Sequence, residues 1–175
     1  VDLLDAEITV VTVNSVAEIS GDPTTLPCLE IESKTAVQAL AARCDPKGGQ
    51  AAYEAVVLAA HLAQTQQIDG IVTAPLNKAA LQAAGHPYPG HTELLADCCD
   101  AENTAMMLYL EKEHDDRSSS SEAWGVVHAT LHMAMRDIFK HLSSQRIVRC
   151  AALADSAIRT LKTLPENHSP KIGIC

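Results

Sequence analysis

The sequence predicts an α/β protein, a parallel or mixed sheet with helices on its faces. Three observations point there. Short β-branched runs alternate with Ala-rich segments of helical period along the chain. The chain is 47% apolar yet has one Phe and one Trp, so its core is built from Ala, Leu, Val and Ile, which suits a helix-covered sheet. Polar side chains gather where apolar runs end, at strand-to-helix junctions, and open α/β sheets bind ligands at such junctions.

Glu7–Val13 (EITVVTV) is β-branched and reads as the first strand. Residues 14–47 read as irregular, with turns at Gly21-Asp22-Pro23 and Pro27 and a short helix over 33–43. Gly48-Gly49 permits a tight turn. Gln50–Gln67 then places apolar residues at 52, 55, 56, 59, 60 and 63, the stripe of an amphipathic helix. Ile68–Thr73 is a short apolar run ending at a polar residue, as a buried parallel strand does. Pro75 breaks that run, and Asn77-Lys78 open a segment of helix formers, 79–84, that stops at Gly85. His86-Pro87-Tyr88-Pro89-Gly90 is a second break, followed by a helix over 92–99. Strands are expected at Thr104–Leu110 and Trp124–Thr130, separated by a polar, Ser-rich surface loop over 111–122. Residues 131–137 turn into a helix, 143–164 form another, and Lys171–Cys175 opens a further strand.

Composition excludes several classes. A net charge of −9 leaves no basic face for nucleic acid. No apolar run approaches the roughly 18 residues of a membrane span, and Val1-Asp2-Leu3-Leu4-Asp5 is not a signal peptide. The six cysteines show no C-x-x-C spacing and read as reduced thiols, hence a cytoplasmic protein. The G-x-G-x-x-G, G-x-x-x-x-G-K-[ST] and G-x-S-x-G motifs are all missing. The chain begins just before one strand and stops inside another, which predicts an internal piece of a longer protein.

Several residues could carry chemistry. His91 and Thr92 follow Gly90 at a helix start. Either Thr92 caps the helix beside a surface His91, or both hydrogen-bond an oxygen-rich ligand at the positive end of the helix dipole. Asn77 and Lys78 either bind a phosphate or decorate a first helical turn. His132 follows a strand, where a neutral imidazole can ligate a metal, though a single imidazole cannot hold one and a structural role competes. His128 reads as a packing residue and Arg136-Asp137 as an exposed pair.

Three segments together carry a resemblance: Val72-Thr73-Ala74-Pro75-Leu76-Asn77-Lys78, Gly90-His91-Thr92-Glu93 and Ala129-Thr130-Leu131-His132-Met133-Ala134-Met135-Arg136-Asp137. In order and spacing they resemble the motifs of the 4-hydroxythreonine-4-phosphate dehydrogenase family, over about Gly48 to Cys175. The resemblance implies an isopropylmalate-dehydrogenase-like fold, two α/β domains with a cleft between them, and a homodimer. It further implies oxidation of a small phosphorylated substrate with NAD or NADP, a divalent metal (Zn, Mg or Co), and loss of carbon dioxide from the β-keto acid. Residues 1–87 would then belong to the first domain and 88–175 to the second, with a crossing near 85–90.

By position, the resemblance makes His91 and Thr92 substrate-binding residues and His132 a metal ligand. Chemically this is coherent, because a metal lowers the pKa of a coordinated alcohol and stabilises the charge that develops as hydride leaves. Leu131, Ala134 and Ala74 depart from the family's usual Thr, Pro and Gly. The family's two other metal-binding histidines lie in N-P-H-A-G-E and Y-H-D-Q-G segments beyond Cys175, so these 175 residues alone are expected to be inactive. Two alternatives accompany this reading. One is a sister dehydrogenase acting on 4-phosphothreonate or 4-phosphoerythronate, and the other is a non-catalytic, ligand-binding remnant of the fold.

Overall fold

The computed structural model describes residues 7–31, 33, 38–111, 123–131, 133–162, 164–165 and 167–175. The chain divides into two compact units, Val1–Ala101 and Glu102–Cys175. Segment 85–90 lies inside the first of them.

In the first unit the β-branched run forms β1 (Thr9–Val13), which pairs in parallel with β2 (Thr25–Leu29), Thr9 opposite Thr25 and Val13 opposite Leu29. Strand β2 lies within the stretch expected to be irregular. Its Pro27 lacks the N–H a ladder needs, but among the described residues β2 pairs on one side only, and an edge strand tolerates proline. Of the short helix expected over 33–43, residues 34–37 lie outside the described residues, and 39–43 carry no helix.

Helix α1 (Pro46–Gln64) starts earlier than its apolar period suggested. Asp45 is its N-cap and accepts from Lys47 N, with Pro46 in the first turn, where its missing N–H costs nothing. Gly48 and Gly49 are therefore helical rather than a turn. Gly49 is buried because α2 (Lys78–Ala83) crosses over it: a β-carbon at residue 49 would lie 2.1 Å from the Ala80 carbonyl oxygen. Ala60, Ala80, Leu81 and Leu94 are buried in this unit, and Leu81 and Leu94 are wholly inaccessible.

The strand expected at Ile68–Thr73 is not formed. No strand pairs with the segment among the described residues, Asp69 lies at a bend, and Val72 is fully exposed. An apolar run supplies strand propensity; the ladder needs a second chain segment to accept its hydrogen bonds. Helix α2 then starts at an Asn77 cap. It ends at Gly85, whose φ of +92° lets Gly85 N and His86 N donate to the carbonyls of Gln82 and Leu81, closing the helix end. Helix α3 (His91–Cys98) follows, with Gly90 as N-cap and no side-chain cap. Thr92 is thus inside the first turn and does not cap it.

In the second unit β3 (Met107–Glu111) pairs antiparallel with β4 (Ala123–Val127), Met107 opposite Val127 and Tyr109 opposite Gly125. Residues 112–122 of the expected surface loop lie outside the described residues. A 3-10 turn (Met135–Asp137) leads into the short α4 (Ile138–His141), and Ser143 Oγ caps α5 (Ser144–Leu161) by accepting from Arg146 N. Helix α5 packs on β4, with Ile158 Cδ1 3.2 Å from the position of a β-carbon at Gly125. Arg146 ties the unit together, donating from Nε to Ala129 O (3.0 Å) and from Nη1 to Thr104 O (3.2 Å). Lys171–Cys175 pairs with no strand among the described residues. The architecture is α/β, with a parallel strand pair in the first unit and an antiparallel pair in the second among the described residues. Among the described residues, no helix is long and apolar enough to cross a membrane.

Candidate functional site

The first unit brings three of the candidate residues to one place. Lys78 is the first residue of α2, and His91 and Thr92 are the first two of α3. The turn between these helices folds the start of α3 back beside the start of α2. As a result, Lys78 Cε and Nζ lie 3.8 and 4.0 Å from the position of a β-carbon at Gly90. Glu93 Oε2 lies 3.5 Å from the same point. Neither an ion pair nor a hydrogen bond engages the Lys78 ammonium among the described residues.

The charges at this point are unevenly satisfied. The first-turn amides of α3 have no side-chain cap, and they carry the positive end of the helix dipole. Lys78 adds a full positive charge next to them. Glu93 sits in the same turn and offers the opposing carboxylate. Uncapped amides, a hydroxyl at Thr92, an imidazole at His91 and an ammonium at Lys78 make a donor-rich locus suited to an oxygen-rich, anionic group.

Asn77 stands apart from that locus in its role. Its Oδ1 accepts from Ala80 N at 3.0 Å and so caps α2, and Cys44 Sγ lies 3.9 Å from the same oxygen. Asn77 also lines a small cavity of about 210 Å³ with Arg43, Asp45, Gly48, Gly49 and Pro75. Asp45 is held below the usual carboxylate range by the backbone amides of Leu40 and Lys47, which hydrogen-bond its charged form.

His132 lies outside the described residues. Its neighbourhood in sequence is held from one side, since Arg146 pins Ala129 O. His128 Nδ1 is buried without a hydrogen-bond partner among the described residues. Arg136 and Asp137 form the expected pair at 3.8 Å, with Arg136 exposed and Asp137 half-buried, and Lys140 joins Asp137 at 2.7 Å. All six cysteines are free. No group of three or more His, Cys, Asp or Glu side chains among the described residues is placed to hold a metal ion.

Sequence reasoning missed the residues that hold the 85–90 turn. Tyr53 stacks on His86 with ring centroids 3.6 Å apart and planes 7° apart, and His86 Nε2 lies 2.7 Å from Gln50 Oε1. Tyr88 donates its hydroxyl to Asp97 Oδ2 at 2.5 Å, and this bond pushes the phenol pKa up to about 12. Their signal in the sequence was only the concentration of polar aromatic rings in a Pro-rich break.

Comparison with known proteins places the chain in a family. The family model of the pyridoxal phosphate biosynthetic protein PdxA matches residues 2–175. The chain is 38% identical over 119 residues to a 4-hydroxythreonine-4-phosphate dehydrogenase of Beijerinckia indica, covering 68% of this chain and 32% of that protein. It is 37% identical over 119 residues to a D-threonate 4-phosphate dehydrogenase of Salmonella typhimurium, covering 68% of this chain and 33% of the relative. Its fold matches the crystal structure of 4-hydroxythreonine-4-phosphate dehydrogenase from Klebsiella pneumoniae with a TM-score of 0.76 at 31% identity, over 88% of this chain and 43% of the other. The matches to both curated relatives thus span about a third of those proteins.

Proposed function

The chain belongs to the family of the pyridoxal phosphate biosynthetic protein PdxA, and from that premise we propose that it carries part of the active site of a dehydrogenase acting on 4-hydroxythreonine 4-phosphate. The observation that carries the proposal is the convergence of Lys78 on Gly90 at the uncapped start of α3, beside His91 and Thr92. The relatives with that name support the choice of reaction.

In this reading His91 and Thr92 bind oxygens of the phosphorylated substrate, the first-turn amides of α3 orient it, and Lys78 offsets its negative charge. The secondary alcohol is oxidised with hydride passing to NAD or NADP, and the β-keto acid formed loses carbon dioxide. His132 is proposed as one ligand of a divalent cation. The described residues do not by themselves form a metal centre. The working protein is proposed to be a cytoplasmic homodimer, with 1–87 and 88–175 contributing to its two domains. D-threonate 4-phosphate is a second reading of the substrate, favoured by a relative of that name at nearly the same identity over the same aligned length.

The test uses the protein encoded by the complete reading frame that contains these residues. NADH and NADPH formation are followed with 4-phosphooxy-L-threonine and with D-threonate 4-phosphate, with and without chelator. Chelator-sensitive turnover of the first supports the proposal, and preference for the second moves it to the sister activity. In the active case Lys78→Gln is expected to raise KM about tenfold, the loss of one charge-assisted contact worth about 1.4 kcal/mol. A folded protein that turns over neither substrate sinks the enzymatic reading and leaves a ligand-binding module.

A further inference from the structure

We propose that His86 is a positioning residue that sets the placement of His91 and Thr92. The inference rests on the reading of that pair as substrate contacts. It is carried by the way the 85–90 turn is fastened.

Four residues separate His86 from His91, and two of them are proline. Pro87 and Pro89 each fix φ near −65°, so the connection is a stiff strut rather than a tether. Where His86 is held, Gly90 and the first turn of α3 must follow. The imidazole is fixed on its face and on its edge. Tyr53 of α1 covers the face at 3.6 Å with planes 7° apart. Gln50, one turn earlier on α1, meets Nε2 at 2.7 Å.

The edge contact also fixes the imidazole's proton. Gln50 Nε2 donates to Glu54 Oε1 at 2.8 Å, which turns the amide oxygen toward His86. The amide oxygen can only accept, so the imidazole donates to it from Nε2. Glu54 stays ionised at the far end of this relay, its carboxyl held below the usual range by hydrogen bonds from Ser33 and Gln50. Carboxylate, amide and imidazole thus form one directional chain along α1.

The strut has a second anchor. Tyr88, between the two prolines, donates to Asp97 in the last turn of α3. One end of the connection is bound to α1 and its middle to α3, with Gly90 and His91 just beyond. The three atoms nearest the β-carbon position at Gly90 belong to Glu93 and Lys78, not to Tyr53 or His86, and the proposed route from His86 to that site is the backbone of the turn.

The test uses the protein of the complete reading frame and four variants. His86→Leu and Tyr53→Leu remove the stack, Gln50→Met removes the edge contact, and Tyr53→Phe keeps the stacked ring. The first three are expected to raise KM for the phosphorylated substrate about tenfold with kcat within about twofold, since ground-state and transition-state contacts weaken together. They are also expected to displace the ¹⁵N–¹H signals of His91, Thr92 and Glu93. Tyr53→Phe should match the parent in both readouts. Unchanged KM and unchanged signals at 91–93 in the folded Leu variants would overturn the inference, as would a Tyr53→Phe protein impaired like Tyr53→Leu. Where His86→Leu does not fold, Gln50→Met carries the same test. If the parent protein turns over neither substrate, the functional reading fails and the amide signals alone decide the positioning role.

Discussion

Gly49 of α1 and Ala80 of α2 touch so closely that no side chain fits between them: a β-carbon at residue 49 would lie 2.1 Å from Ala80 O and 2.3 Å from its carbonyl carbon. This contact sets the depth at which α2 lies on α1, and α2 carries Lys78 at its start.

Gly49→Ala is expected to destabilise the first unit. Replacing a helical glycine by alanine favours the helix by up to about 1 kcal/mol. Here the clash is with backbone, and overpacking of that kind costs about 1–3 kcal/mol, so the steric term wins. Chemical denaturation of the variant measures the sign. A stabilised Gly49→Ala protein would show that the helices separate without loss.

Asp45 predicts an acid-side pH dependence. Its folded carboxyl lies below the ordinary value of 3.8, so its contribution is full well above that pH and is lost as pH falls from 3.8 through the folded value. Asn caps a helix about as well as Asp, so Asp45→Asn should keep α1 and lose this part of the pH dependence. The melting temperature of the variant relative to the parent checks it: the gap should be wider at about pH 6 than at about pH 2.5.

Tyr88 predicts a titration on the alkaline side. Its pKa of about 12 against an ordinary 10.0 means that the bond to Asp97 stabilises the fold below pH 10 and is lost as pH rises toward 12. Absorbance titration of phenolate formation should lose its step near 12 in Tyr88→Phe, and Asp97→Asn should move that step back toward 10.0. An unchanged titration in Asp97→Asn would exclude the bond as its cause.

Arg146→Met is expected to destabilise the second unit by about 1.5–3 kcal/mol, the range for hydrogen bonds to a charged partner. The loss strips a donor from Ala129 O and Thr104 O, both part-buried contacts. Thermal unfolding measures the cost, and hydrogen exchange at residues 128–131 should rise in the same variant. A loss near zero would mean that water replaces the guanidinium freely.

The helices were legible in the sequence because a helix closes its hydrogen bonds over four residues. Ser143 marks a start, Gly85 marks a stop, and the apolar period of 50–63 marks the helical stripe, all within contiguous stretches, whereas the Asp45-Pro46 start of α1 was not read from the sequence. Sequence also determined the family, since three motifs in fixed order identify it without reference to any contact. Tertiary structure alone decided the rest. A strand needs a partner, so the β-branched character of Ile68–Val72 did not make a strand, while Pro27 did not prevent one once β1 lay alongside. Gly48-Gly49 reads as a turn in sequence, but both residues are helical and α2 crosses at Gly49. The hold on the candidate site is just as non-local: Gln50 and His86, 36 residues apart, meet only because α1 and the 85–90 turn are folded against each other. Local hydrogen bonding is written in neighbouring residues; pairing and close approach belong to residues that only folding makes neighbours.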